Sequence, residues 1–466
     1  MAAAGSNYPN FRAQVEEAIR LREKAYCNLA DRIWDYAELG FEEHKSAAAQ
    51  MAILESEGFT IVRGLGGMPT AFYAEKGSGS SLIGILGEYD ALANMSQVAG
   101  EPVPQSEVAG APGHGCGHNL LGTASALAAV AASEALCRQG MEGRIRYYGC
   151  PAEEGGGGKS FMARAGAFDD LDAAFTWHPH SVMATNVNTT LAFIQAAFHF
   201  TGKASHAALS PHSGRSALDA VELMNVGANY LREHMPSDQR IHYAYRDAGG
   251  RAANVVQAHA EIAYIARAAT TDDVAMLFSR IRNLAAGSAL MTDTTVTVRI
   301  ESGMSNYIPN MTLSQMMHEQ IVKAGDLHFT QEDFQNAERF QQTMSEAPSN
   351  GAKTALNEKP KPFIDQSDHA FGSTDVGDVS WIVPTAQIWA PCFAAGTTFH
   401  SWQLVAQGKL PAAHKGMLHA AKILALSAIE TICRPDLLSD ARREFESKMA
   451  GRHYQCPIPD DVLPPS

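Results

Sequence analysis

Between residues 60 and 180, short apolar runs of strand character alternate with longer runs of helical character. A sheet with helices on its faces is the architecture that absorbs this order. The runs TIVR, AFYAE and SLIGILGEYDAL lead through a Gly/Pro-rich loop to HNLLGTASALAAVAASEAL, whose small residues suit a helix lying close on a sheet; IRYYGC and AAFTWHP follow as strands. Upstream, Val15, Ala18, Ile19, Leu21, Ala25, Leu29, Ile33 and Trp34 form an apolar stripe that predicts a helix over about residues 10–38. A second helix, SAAAQMAILESEGF, ends at Gly58.

The character changes near residue 190. LAFIQAAFHFTG, NVVQAHAEIAYIARAA and TTVTVRIES read as strands, with two helical segments between them, HSGRSALDAVELMNVGANYLREHM and TTDDVAMLFSRIRNLAAGSAL. This is a compact α+β unit flanked on both sides by the α/β pattern, which resumes with helices around 312–345, the strand TAQIWAP and the helix AAHKGMLHAAKILALSAIETIC. The expected organisation is a catalytic α/β domain over residues 1–188 and 304–466, with an inserted α+β domain over 189–303. The Pro-rich tail HYQCPIPDDVLPPS is expected to be extended.

The 466 residues, 45% hydrophobic and 18% charged, suffice for large cores without disulfide staples. A formal charge of -14 repels phosphate backbones, which argues against nucleic acid as a partner. Seven scattered cysteines suggest a reducing compartment rather than a disulfide framework. The first twenty residues lack a basic segment followed by an apolar one, and runs such as SALAAVAA are too short to span a bilayer. A soluble, cytoplasmic protein without a membrane partner is expected.

Five side chains suggest metal chemistry. GAPGHGCGHNLLG sets Cys116 and His118 two apart in a Gly-rich loop; in extended backbone both would point toward one ion. Alone, the run reads equally well as a buried thiol and a hydrogen-bonded imidazole in a tight turn. CPAEEGGGGK follows a strand end, so that Glu154 can bind a metal while Glu153 faces substrate and handles the proton of the attacking water. An isolated Glu-Glu pair is more commonly a solvated one. His178 of TWHPH and His400 of GTTFHSW also follow strands, at the edge where open α/β sheets bind ligands. Two ions some ~3.5–4 Å apart would clamp a water and a carbonyl oxygen, as amide hydrolysis requires. A thiolate favours zinc over a harder ion such as manganese, which leaves Mn²⁺ or Zn²⁺ open.

The order GEYDAL, HGCGH, PAEEGG, WHP, GKASHAA, NVVQ and a late His-Ser resembles the metallo-amidohydrolases of the M20 peptidase family. The likeness is greatest to the branch of aminoacylases, hippurate hydrolases and auxin-conjugate hydrolases, and runs over nearly the whole chain. It implies a mixed sheet flanked by helices in the catalytic domain and an inserted lid that mediates dimerisation, homodimeric or with a related subunit. It implies two divalent ions held by Cys116, His118, Glu154, His178 and His400, and Glu153 as general acid/base. His206 of GKASHAA would hydrogen-bond the substrate carbonyl and, in dimers, reach the neighbouring subunit's site. Asn254 and Arg267 fall on motifs that hold a substrate carboxylate, for which a guanidinium fork is suited. Lys203 and Arg215 match more loosely. The substrate implied is a small N-acyl or N-aroyl amino acid; a dipeptidase or carboxypeptidase, or a partner subunit with little activity alone, are the alternatives. GEYDAL departs from the branch's Arg-Ala-Asp-Met-Asp-Ala-Leu at Glu88 and Tyr89 but keeps Asp90, expected to orient a ligand imidazole. The late acidic motif STDVGDVSW is altered and leaves open whether Asp375 or Asp378 faces the site.

Overall fold

The computed structural model describes residues 11–344, 354–368, 370 and 372–465. Its strands are β1 (Thr60–Arg63), β2 (Phe72–Ser78), β3 (Leu82–Glu88), β4 (Gly143–Cys150), β5 (Ala173–His180), β6 (Ala184–Asn186), β7 (Ala192–Thr201), β8 (Arg240–Asp247), β9 (His259–Ala268), β10 (Thr295–Met304) and β11 (Thr385–Pro391). A seven-stranded mixed sheet runs β1-β2-β4-β3-β5-β11-β6, and a four-stranded sheet runs β10-β7-β9-β8. In the large sheet β4, β3, β5 and β11 are mutually parallel, whereas β1, β2 and β6 pair antiparallel at the margins.

The central strand β3, LIGILGE, is buried at every position, because helices cover both faces. Its side chains divide by parity. Ile83 and Ile85 enter a core with the helices Phe11–Tyr36, His118–Arg138 and Pro411–Cys433, whereas Leu82 and Leu86 pack with Phe161, Met162, Val376 and Ile458 on the other side. The helices His118–Arg138 and Pro411–Cys433 are long and apolar enough to cross a membrane, but 89% and 83% of their apolar windows are buried inside the protein. They are core helices. Gly122 lets the first of them lie against β3, since a Cβ there would stand 2.5 Å from the Glu88 carbonyl oxygen.

The four-stranded sheet is antiparallel throughout and carries the helices Ala217–Leu231 and Thr271–Thr292 on one face. Sequence reasoning finds three of its strands and misses β8. That strand, RIHYAYRD, lies at the sheet edge with most of its side chains exposed, so it lacks the apolar alternation that marks a strand.

Candidate metal centre

The parallel strands bring their carboxyl ends to one edge, and the predicted ligands gather there. Glu88 closes β3 and Asp90 lies two residues beyond; Glu153 and Glu154 stand in the turn after β4; His178 lies near the end of β5; His400 lies in the loop after β11. Cys116 and His118 are presented differently from the extended pair expected. Gly117 adopts a left-handed conformation (φ 79°) and His118 opens the following helix, so that a helix start aims the two side chains. A second positive φ, 57°, occurs at His400, whose backbone N–H donates to the Gly115 carbonyl at 2.8 Å and ties its loop to the cysteine loop. A non-glycine residue held there is strained, which is typical of functional positions.

Potential ligand atoms of Cys116, His118 and His178 lie within 4.8 Å of one another, and so do those of Cys116, Glu154 and His400. The two triplets share one sulfur. A third set, Glu88, His118 and Glu153, meets the same limit. The imidazoles are poised to ligate. His118 Nδ1 donates to Asp90 Oδ1 at 2.8 Å, and His178 Nδ1 donates to the Pro179 carbonyl at 2.8 Å, which leaves each Nε2 facing the centre. His178 Nε2 stands 3.3 Å from Cys116 Sγ, and His400 Nε2 stands 3.2 Å from Glu154 Oε1. Asp90 also accepts from the backbone N–H of Glu154 at 2.9 Å, and so orients one candidate ligand and anchors the turn carrying another. Changing Asp90 to Asn should weaken metal binding by roughly 10–100-fold with the fold retained, measurable by titrating metal-stripped protein.

The donor set fits divalent cations. His118 Nε2 and Glu154 Oε1 are buried and make no well-aligned hydrogen bond among the described residues, although Glu88 Oε2 stands 3.3 Å from the first and His400 Nε2 3.2 Å from the second; a cation would satisfy both. Burial, reinforced by the Glu154 charge, pushes the Cys116 thiol well above its usual range, and a cation beside it would favour the thiolate. Burial opposes the ionised form of Glu154, but His400 and His118 outweigh it and hold that carboxyl low. Glu153 is pushed well up by burial and by the charges of Glu88, Glu154 and Asp375. The two adjacent carboxyls are thus shifted in opposite directions, Glu154 down and Glu153 up.

Three further residues complete the environment. Lys159, fully buried, donates at 2.6 Å both to Glu88 and to Asp375. Asp375 is therefore the member of the late acidic pair wired to the centre. Asp378 instead accepts from Ser160, Ser305 and Tyr454, and holds the C-terminal segment in place. The Phe399 ring, partly exposed, stands edge-on to His178 at 5.1 Å and to His180 at 5.5 Å, and His180 stacks on Trp389 at 4.7 Å. Lys159 lies inside the run CPAEEGGGGK yet reads locally as a surface lysine, and Phe399 is signalled only by its neighbour His400.

The residues assigned by resemblance to the lid are more dispersed. His206 is exposed, its Nδ1 accepting from Ala208 and Leu209 N–H groups at 3.2 Å. Exposed Asn254 is its neighbour, bonding through its carbonyl to Ala207 N–H at 2.9 Å. No hydrogen bond or ion pair among the described residues joins either to the centre. Arg267 on β9 lies over the Phe193 ring and donates at 2.6 Å to Ser373, two residues before Asp375.

Comparison with known proteins gives the family. The chain is 44% identical to a p-aminobenzoyl-glutamate hydrolase subunit of Escherichia coli (strain K12), over 97% of this chain and 98% of that one. It is 32% identical to the Xaa-Arg dipeptidase of Mus musculus, over 90% and 89%. Among solved structures, Bacillus subtilis YXEP, a dinuclear metal-binding peptidase of the M20 family, superposes with a TM-score of 0.56 at 16% identity, covering 88% of this chain and 99% of that one. This chain belongs to the M20 family. It is an amidohydrolase of that family, with the mixed sheet and helical layers expected. No protein-family model matches it. The likeness to YXEP is one of fold, whereas that to the Escherichia coli protein spans the HGCGH, PAEEGG and WHP runs, since it extends over nearly the whole chain.

Proposed function

We propose that this M20 hydrolase cleaves the amide bond of N-acyl or N-aroyl amino acids in the cytoplasm, using two divalent ions per subunit, Mn²⁺ or Zn²⁺. The first candidate substrate is p-aminobenzoyl-glutamate, giving p-aminobenzoate and glutamate. The observation that carries this reading is the pair of ligand triplets sharing Cys116, with Glu153 beside them. Cys116, His118, Glu154, His178 and His400 hold the ions, which when bound polarise the amide carbonyl and acidify a water.

Glu153 takes the proton of the attacking water and returns it to the leaving amine. Asp90 keeps the His118 ring in the orientation and tautomer that ligation needs. Residues 189–303 act as lid and dimer contact for a catalytic domain of residues 1–188 and 304–466. His206, reaching the neighbouring subunit's site, donates to the amide oxygen as negative charge grows there. Arg267 and Asn254 hold the substrate carboxylate.

The Phe399 ring beside His178 favours an aroyl over an alkyl acyl group. Changing Phe399 to Ala should therefore raise KM for p-aminobenzoyl-glutamate several-fold more than for N-acetyl-glutamate; equal effects on both would remove the ring from substrate recognition. The function as a whole is tested with a panel of aroyl- and acyl-amino acids and unblocked dipeptides, with added Mn²⁺ or Zn²⁺. Turnover of aroyl-amino acids is expected; its absence with every metal would overturn the reading. Kinship with the mouse dipeptidase favours a second reading, which predominant turnover of dipeptides would select. The Escherichia coli relative is named as one subunit of its hydrolase, and a second subunit of that hydrolase is also similar to this chain, which favours a heterodimer. Activity that appears only on co-expression with a related chain would make this protein a dependent partner.

A further inference from the structure

Glu88 ends β3 with its side chain 3% exposed. One carboxylate oxygen, Oε1, accepts from Lys159 at 2.6 Å; the other, Oε2, stands 3.3 Å from His118 Nε2. The Nδ1 proton of His118 is already committed to Asp90. When His118 ligates, its Nε2 therefore carries a lone pair, and a lone pair facing a carboxylate oxygen across 3.3 Å is repulsive unless a cation stands beside both. His118 Nε2 is itself buried without a hydrogen-bond partner. Ligand atoms of Glu88, His118 and Glu153 all lie within 4.8 Å of one another, so a cation held by Glu88 and His118 would have the Glu153 carboxyl beside it.

Charge points the same way. Two divalent ions bring four positive charges into a buried space where, among the five proposed ligands, the Cys116 thiolate and Glu154 supply two negative ones, and uncompensated buried charge is expensive. Lys159 does not cancel Glu88, because it also serves Asp375.

We propose that Glu88 is a sixth donor of the metal centre: its free oxygen joins His118 on one ion, while Lys159, itself held by Asp375, clamps its other oxygen. The proposal rests on the two-ion reading above, and its test separates the two. Metal-stripped full-length protein and its Glu88→Gln and Glu88→Asp variants are titrated with Co²⁺, with bound ions counted by elemental analysis and the visible ligand-field spectrum recorded. In both variants one of the two ions is expected to bind at least about tenfold more weakly, with a changed absorption intensity as the coordination number falls. Glu154→Gln serves as the control for a lost ligand. Glu88→Asp keeps the charge and a partner for Lys159, and decides the matter if Glu88→Gln does not fold by circular dichroism. Variants that fold, bind both ions within twofold of the unaltered affinities and share its spectrum would overturn the proposal alone. Fewer than two ions on the unaltered protein would overturn the metal-centre reading itself.

Discussion

Changing Glu153 to Gln is expected to lower kcat by about 10²–10⁴-fold while the protein stays folded and keeps its ions. The amide has the shape of the carboxyl but cannot accept a proton from water and pass it to the leaving amine. Glu153 belongs to neither of the triplets that share Cys116, so the ions lose no shared ligand. Its surroundings suit the task. Burial and three neighbouring carboxylates, Glu88, Glu154 and Asp375, push its carboxyl well above the usual carboxylate range. Removal of a group used only in the reaction step should leave KM nearly unchanged. Steady-state kinetics on p-aminobenzoyl-glutamate, with ion content measured on the same preparation, check both halves of the expectation. A variant that keeps more than about a tenth of the original kcat would exclude Glu153 from proton transfer.

What could be read from the chain depended on how local the determinant was. The buried run LIGILGE and the small-residue helix HNLLGTASALAAVAASEAL announce a helix-covered sheet because each carries its burial in its own composition. The candidate ligands stand out because Cys, His and paired Glu in Gly-rich loops at strand ends are unusual together. The backbone that presents them was not legible. A spacing of two between Cys116 and His118 is compatible with a strand, and it took the left-handed Gly117 to make it a helix start instead. Lys159 was hidden for a different reason. Its partners lie 71 residues before it and 216 after it, so no window of sequence distinguishes it from a solvated lysine. The edge strand β8 was missed because an exposed edge lacks an apolar face to read.

Lys159 is also where stability should depend most on one side chain. Changing it to Met is expected to cost about 3–5 kcal/mol, because two carboxylates are left buried without their cation. Glu88 and Asp375 differ in how they bear this. Burial opposes ionisation of Glu88, but the Lys159 ammonium and the nearby imidazoles hold its carboxyl low, whereas burial pushes Asp375 up to about 7 in spite of Lys159. Asp375 also accepts from the backbone N–H of Lys159 at 2.8 Å, and that bond survives the substitution. The cost therefore comes from charge rather than from a broken loop. A second substitution, Asp375→Asn, keeps an acceptor for that N–H and removes one of the stranded acids. In the Lys159→Met background it should restore about 1–3 kcal/mol, although alone it destabilises. The thermal midpoint of metal-stripped protein, compared across the four members of this double-mutant cycle, measures the coupling. Additive losses would show that Lys159 and Asp375 act independently, and the charge argument for the cluster behind Glu88 would fail with them.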